Sequence, residues 1–281
     1  MVRRVQAHVS VSAERVAEFR ETVYGFWREQ GRHDLPWRLT RDPYAVLVSE
    51  IMLQQTQVTR VVPYYERWLT SFPTPDALAV APLEAVLEQW QGLGYNRRAL
   101  ALKRAAEIIS AVYRGAVPRD YGALVALPGV GHATASAVLA FAWGDARPYL
   151  ETNIRTVFLH EFMADADGVP DTALMPLVDA ALDRDDPRSW YYALMDYGAY
   201  LKRTLPNPSQ RSRHHTRQSR FEGSHRQLRA RLVRAVMAAP GSEVVTLAEG
   251  TARGLEDVER ALAELSAEGF LAEEDGRFRI A

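Results

Sequence analysis

Apolar residues recur every three to four positions in one segment after another of the first two hundred residues. Nowhere there do they alternate with polar ones as a strand would require. Val16, Phe19, Val23 and Phe26 set the period for a helix over Val11 to Glu29. Asp42-Pro43 opens a second, with Asp able to cap and Pro in the first turn, and it runs through Val46, Val48, Ile51 and Met52 towards Thr56. Further helical patterns cover Gln57 to Ser71, Pro75 to Val80, Pro82 to Gln91, Asn96 to Tyr113, Tyr121 to Leu127 and Ala133 to Trp143. Two more lie at Thr172 to Leu182 and Ser189 to Leu201. Gly and Pro fall at the joints: Gly92-Leu93-Gly94, Pro118, Pro128-Gly129 and Pro148. The chain therefore reads as all-α, with no βαβ unit in this part.

The pattern changes late in the sequence. Pro206 to Gly223 is polar, rich in Arg, Ser and Pro, and without period. Ser224 to Ala239 is a basic helix, Leu255 to Glu268 an amphipathic one, and Phe270 to Ile280 a short hairpin turning at Glu273-Glu274-Asp275-Gly276. Helices followed by a hairpin resemble a winged helix, a module that serves contacts to DNA and to protein alike. The expected organisation is residues 1–205, a basic linker at 206–223, and a small α+β module at 224–281.

Composition narrows the chemistry. The chain has 281 residues, 47% of them hydrophobic and 25% charged, as in ordinary globular proteins, and no apolar run long enough to span a bilayer. Its start lacks the apolar core of a secretion signal, so the expected address is the cytosol and no membrane partner is expected. It contains no cysteine, which removes disulfides, thiolate nucleophiles and thiolate metal sites together. The formal net charge is -1, but the charge is unevenly spread. Lys202, Arg203, Arg211, Arg213, Arg217, Arg220, Arg226, Arg229, Arg231 and Arg234 lie in one stretch with Glu222 as its only acid, a local field suited to nucleic acid. A solvated loop has the same composition.

Three short strings carry chemistry. Leu127-Pro128-Gly129-Val130-Gly131-His132-Ala133-Thr134 joins two helical patterns, and its glycines permit a tight turn whose amides, at the next helix start, can face a phosphodiester. A plain helix–helix turn without a ligand has the same pattern. In Ser49-Glu50-Ile51-Met52-Leu53-Gln54-Gln55-Thr56, Glu50 sits in an otherwise apolar helix, with Gln54 one turn on and expected on the same face. A carboxyl so placed is paired or protonated, and partial burial is how Glu becomes a general acid near neutral pH. Tyr149-Leu150-Glu151-Thr152-Asn153-Ile154-Arg155 places a second carboxylate at a helix start, where Glu151 or Thr152 also suits a cap.

Together these strings, with Pro36-Trp37-Arg38, Asp42-Pro43-Tyr44, Gly92-Leu93-Gly94-Tyr95 and Gln57-Val58, resemble the MutY-type adenine DNA glycosylases of the endonuclease III, or helix-hairpin-helix, superfamily. The resemblance covers about residues 15–202, and the string from Ser49 to Val58 is its most specific part. It implies a two-lobed helical fold and removal of a base from double-stranded DNA carrying a mispaired or damaged base. By position it makes Glu50 the acid that protonates the adenine ring. Glu151 stands where the family has an Asp that stabilises the sugar cation, and Asn153 matches an Asn of the same site. Gln55 and Tyr95 match residues that wedge into the duplex, and Gly129, Val130 and Gly131 match the phosphate-holding hairpin. Gln54, Thr134, Arg213 and Arg217 are further expected DNA contacts. Ala133 occupies the place of a Schiff-base Lys in bifunctional relatives, so base release without strand cleavage is expected.

Three departures accompany the resemblance. Lys202 stands where the first cysteine of the family's iron–sulfur loop would be, and without cysteine no cluster is expected. His214-His215 reads as part of a polar loop, so no metal is expected. The segment after Gly223 is too short for the family's 8-oxoguanine-sensing domain, and Glu151 is one methylene longer than the expected Asp. A thymine, uracil or damaged-base glycosylase on the same fold therefore stays open beside the adenine reading. A non-catalytic DNA-binding protein would gain nothing from Glu50 and Glu151. The enzyme is expected to act as a monomer.

Overall fold

The computed structural model describes residues 11–215 and 220–281. They are mostly helical, and their contacts divide the chain into two compact units. The first comprises Met1–Glu50, Pro118–Ala126 and Val130–Arg217; the second comprises Ile51–Val117, Leu127–Gly129 and Gln218–Ala281.

In the first unit, α1 (Ala13–Gln30), α8 (His132–Trp143), α9 (Thr152–Phe162), α10 (Asp171–Ala181) and α11 (Pro187–Thr204) build the core, with the short α7 (Tyr121–Val125) leading into α8. Phe19 of α1 meets Phe158, Phe162 and Trp190 edge-on at ring-centroid distances of 5.2, 5.0 and 5.7 Å. Capping starts these helices where polar side chains precede apolar runs. Ser12 accepts from the Arg15 amide, Asp120 from Ala123 and Asp186 from Ser189. Arg155 forks onto Asp171 with two bonds of 2.7 Å, tying α9 to the first residue of α10.

The second unit holds α3 (Val58–Ser71), α4 (Pro75–Val80), α5 (Leu83–Trp90) and α6 (Arg97–Tyr113), with Trp68 and Trp90 crossing edge-on in its core. It also holds α12 (His225–Ala238), α13 (Val244–Thr251) and α14 (Leu255–Glu268). A small antiparallel sheet of order β1–β3–β2 follows, from β1 (Ser242–Glu243), β2 (Leu271–Glu274) and β3 (Arg277–Ile280). Glu274 faces Arg277, so the turn is the pair Asp275-Gly276, both with positive φ, as a two-residue hairpin of this hand requires. Helix, strand, two helices and hairpin make the expected winged-helix order. Sequence periodicity missed α13, whose start Val244-Val245-Thr246 is β-branched.

The remaining helix, α2 (Pro43–Leu53), is buried from Tyr44 to Ser49; its residues up to Glu50 belong to the first unit and Ile51 onward to the second. It ends one residue before Gln54, earlier than its apolar period suggests. Gln55 takes a left-handed conformation (φ 57°), and Arg98 of α6 donates to the carbonyls of Ile51, Met52 and Gln54 at 3.0, 2.8 and 2.6 Å. The guanidinium thus satisfies carbonyls that lose their helical partners at a helix end. The expected shared face of Glu50 and Gln54 is not formed, because Gln54 lies beyond the helix.

Candidate active site

Glu50 lies on the last full turn of α2, half-buried behind a wall of apolar side chains, and no hydrogen bond to its carboxyl forms among the described residues. Burial, with the charge of Glu151 adding to it and Arg38 opposing it, pushes this carboxyl up to about 8. The group therefore keeps its proton at neutral pH. Arg38, in the 3-10 turn Pro36–Arg38, is fixed so that it can face Glu50 without neutralising it. Its two terminal nitrogens fork onto Asp196 at 2.7 and 2.9 Å, and its guanidinium lies 4.4 Å over the Tyr192 ring. Asp196 is only 4% exposed and also accepts from Arg32, so its carboxyl is held below the usual range by these arginines against the cost of burial.

Glu151 is built differently. It is the N-cap of α9: one carboxylate oxygen accepts from the amides of Asn153 (2.7 Å) and Ile154 (2.8 Å), while the other accepts from the Asn153 side chain at 3.4 Å. The helix start and its dipole hold a negative charge in place. Lys202 and Arg155 face this carboxylate electrostatically. Burial pulls the Lys202 ammonium below its ordinary range, and the nearby Glu151 charge resists that pull. So the residue expected to stabilise charge is also the cap of α9, and the Asn153 side chain donates to its second oxygen.

Sequence reasoning missed a third member. Tyr149 is 5% exposed, packs against the Tyr191 ring with centroids 4.3 Å apart, and its hydroxyl has no hydrogen-bond partner among the described residues. Burial drives its pKa well up, and the charges of Glu50 and Glu151 are among the causes. The hydroxyl therefore stays neutral, within electrostatic reach of both carboxyls. Only its place two residues before Glu151, on the segment that enters α9, hinted at this.

The hairpin keeps one glycine for its backbone and one for its surface. Gly129 has φ 78°, and a Cβ there would meet the Ala101 Cβ at 2.9 Å, so no other residue fits. Gly131 is the N-cap of α8 with an ordinary φ of −85°, and a Cβ there would touch nothing within 4 Å. Nothing in the protein demands glycine at Gly131. Gly131 also gives α8 no side-chain cap at its N-terminus. Val130 is buried, and Ala133 and Thr134 lie half-exposed on the first turn.

In the second unit the expected wedge residues occupy two strained loops. Gln55 and Tyr95 both have left-handed backbones (φ 57° and 51°) without being glycine. Arg98 holds both loops at once, donating also to Thr56 Oγ1 (3.0 Å) and to the carbonyls of Leu93 and Gly94 (3.4 and 3.0 Å). Gln54 donates to the Gly129 carbonyl at 3.3 Å. Arg213 is exposed, its amide bonded to the Val169 carbonyl at 3.0 Å; Arg217 lies outside the described residues. No cluster of His, Asp or Glu that could hold a metal occurs among the described residues, and no helix there is long and apolar enough to cross a membrane. The chain has no cysteine, so the iron–sulfur cluster implied by the resemblance finds no thiolate to hold it.

Against this geometry, a family model described as HhH-GPD superfamily base excision DNA repair protein matches residues 48–184. The adenine DNA glycosylase of Mycolicibacterium smegmatis is 35% identical over 279 residues, covering 91% of this chain and 94% of its own length. The chain belongs to the adenine DNA glycosylase family of the HhH-GPD superfamily. The human adenine DNA glycosylase is 36% identical over 206 residues, 68% of this chain and 37% of its own. For that of Buchnera aphidicola subsp. Baizongia pistaciae the match is 33% over 184 residues, spanning about half (52%) of that relative's length. Among solved structures, a thermostable thymine-DNA glycosylase aligns with a TM-score of 0.58 at 28% identity, over 66% of this chain and 87% of that one. An endonuclease III–DNA complex aligns at 0.59 with 20% identity, over 70% of this chain and 91% of that one, which shows the shared fold. The all-helical glycosylase fold with a small α+β module, expected from sequence, is therefore the one observed.

Proposed function

We propose that this protein is a monofunctional DNA glycosylase of base excision repair that hydrolyses the bond between adenine and deoxyribose at a mispair in duplex DNA. The observation that carries this reading is the unequal pair of carboxyls, one protonated at neutral pH and one held by backbone amides. Enzymes that need both an acid and a charge stabiliser separate their roles by environment in this way.

In the proposed reaction the extruded adenine accepts the Glu50 proton on a ring nitrogen, and the glycosidic bond breaks with its electron pair leaving on the base. The sugar is left with a positive charge at C1′ and its ring oxygen. Glu151, fixed by the α9 amides and Asn153, opposes that charge without having to reorganise. Water adds to C1′ and its proton passes to the Glu50 carboxylate, restoring the acid. Opening the duplex costs a few kcal/mol, offset by wedge contacts from Gln55 and Tyr95 and by phosphate held at Gly129, Val130 and Gly131. Gln54, Thr134 and Arg213 add contacts along the backbone, and Arg217 extends the basic stretch. Residues 1–205, the linker 206–223 and the module 224–281 divide the work, and the enzyme acts as a monomer without a cofactor.

Ala133 offers no amine at the hairpin, so the product is an abasic site with the strand intact. Borohydride should trap no enzyme–DNA adduct; trapping that Lys202→Ala abolishes would instead assign lyase chemistry to Lys202.

A second reading keeps the fold and changes the base, since the aligned thymine-DNA glycosylase shares 28% identity with this chain. Duplexes carrying A opposite G, A opposite 8-oxoguanine, A opposite C, and T or U opposite G separate the two. Release of adenine alone supports the proposal, and release of T or U alone overturns it.

A further inference from the structure

Tyr121 opens α7, His132 opens α8, and their side chains meet. The Tyr121 hydroxyl and His132 Nδ1 share a hydrogen bond of 2.7 Å, and the two rings stack with centroids 6.0 Å apart. Arg147 lies over the same Tyr121 ring, its guanidinium carbon 4.2 Å from the centroid. All three residues belong to the first unit, and none of them is among those that the resemblance assigns to DNA.

The backbone beneath Arg147 is pinned. Its carbonyl accepts from the Tyr191 hydroxyl at 2.6 Å, and that of Ala146 accepts from Arg184 at 3.3 Å. Tyr191 also packs on the Tyr149 ring, so one side chain holds both Arg147 and Tyr149 on the segment that leads into Glu151. The charge of Arg147, by contrast, is not spent within the protein. In the same unit Arg38, Arg155 and Arg184 each meet a carboxylate, at 2.7, 2.7 and 2.6 Å. Arg147 is exposed, and its side chain makes no ion pair or hydrogen bond among the described residues. A guanidinium lying over a ring engages it through the π face and keeps its planar set of N–H donors for another partner. That set matches the oxygens of a phosphate two at a time. Because ring and backbone already hold the side chain, little freedom is lost when an anion arrives.

From these contacts we propose that Arg147, aimed by Tyr121 and braced by His132, binds a phosphodiester of the adenine strand beside the extruded nucleotide. Glu151, which opposes the sugar charge in the proposed reaction, lies four residues on, at most about 14 Å of extended chain. A phosphate held at Arg147 therefore belongs to the nucleotide whose sugar meets Glu151 or to its neighbour. The proposal rests on the reading that the chain extrudes adenine from a duplex.

The test uses the full-length protein and duplexes in which one phosphate at a time around the target adenosine is replaced by an uncharged methylphosphonate. Affinity is measured with a 2′-fluoro-arabino target that resists cleavage, and adenine release on the matching cleavable duplexes. The expected result is an affinity loss of about tenfold at a phosphate adjoining the target, the scale of one charge-assisted contact. Arg147→Met should lose about as much on the unmodified duplex, with a salt slope flatter by about one phosphate. It should lose nothing further when that adjoining phosphate is neutral, because the two changes remove one contact. Arg147 is exposed, so the melting temperature should stay as in the parent. Affinity of Arg147→Met equal to the parent's overturns the assignment. So do losses that merely add at every position, or a coupling found only away from the target. Adenine release without the coupling sinks the phosphate site alone. Coupling without adenine release keeps the site and sinks the glycosylase reading.

Discussion

The end of α2 and the start of α9 each carry a glutamate that the proposed reaction uses, and the two sit in opposite surroundings. Glu50 has apolar neighbours, no hydrogen-bond partner among the described residues, and a carboxyl raised to about 8. Glu151 has two backbone amides, an asparagine side chain and two facing cations. The difference teaches that an identical side chain becomes an acid or a charge stabiliser according to whether its environment withholds or supplies partners for the charged form. In the proposed reaction the bonds that cap α9 would also hold the stabilising charge.

Breaking the first half of that comparison should have the largest effect. Glu50→Gln keeps size and polarity but cannot deliver a proton. Single-turnover adenine release is expected to fall about a thousandfold, with duplex affinity little changed in a gel-shift titration. The same variant probes stability. A carboxyl raised in the folded state contributes stability that is full below its unfolded pKa and lost as pH rises through the folded value. Wild-type protein should therefore lose melting temperature between pH 5 and pH 9, in part because of Glu50, and Glu50→Gln should lose less over the same interval.

Breaking the second half should cost about a hundredfold, as for loss of one fixed electrostatic stabiliser. Glu151→Gln is the informative variant, because its effect on pH dependence has a sign. Glu151 raises the Glu50 carboxyl, so removing its charge lowers that pKa, and the alkaline limb of the rate profile should move to lower pH. A limb that stays in place would mean that the two carboxyls do not sense each other.

Tyr149→Phe should sharpen the comparison with a smaller effect. The change removes one buried hydroxyl and keeps the ring packed on Tyr191. Loss of a neutral hydroxyl within electrostatic reach of Glu50 disfavours its charged form, so the alkaline limb should move to higher pH. The rate at neutral pH should change less than in either glutamate variant, because the hydroxyl gives up no hydrogen bond among the described residues. A purely structural role would lower the melting temperature and leave the limb unmoved.

Much of this comparison was legible in the sequence, and what escaped it did so for a reason. The helices announced themselves because their apolar period is local, and Glu50 stood out because a charge interrupted that period. Glu151 could be read as a helix-start carboxylate for the same reason. What stayed hidden depends on partners distant in the chain. Arg38 and Asp196 lie 158 residues apart, and Arg98 reaches back 44 to 47 residues to the end of α2. Nothing local to Ile51 or Gln54 reveals that a guanidinium will take their carbonyls, and so α2 was read as running on to Thr56. The orphaned Tyr149 hydroxyl is likewise visible only once Tyr191 and the two carboxyls surround it. The basic stretch was legible as charge, but only the fold separates Arg229, paired with Glu264 and Glu268, from Arg234, which makes no ion pair among the described residues.

The most direct test of the account is the pH dependence of single-turnover adenine release, measured from pH 5 to pH 10 for the wild-type protein and for Glu50→Gln. The account predicts a rate that falls about tenfold per pH unit above roughly pH 8, the value to which burial and the charge of Glu151 raise Glu50, and near-absence of release in the variant at every pH. A rate that holds level to pH 10, or a Glu50→Gln enzyme that releases adenine as fast as the parent, would contradict it.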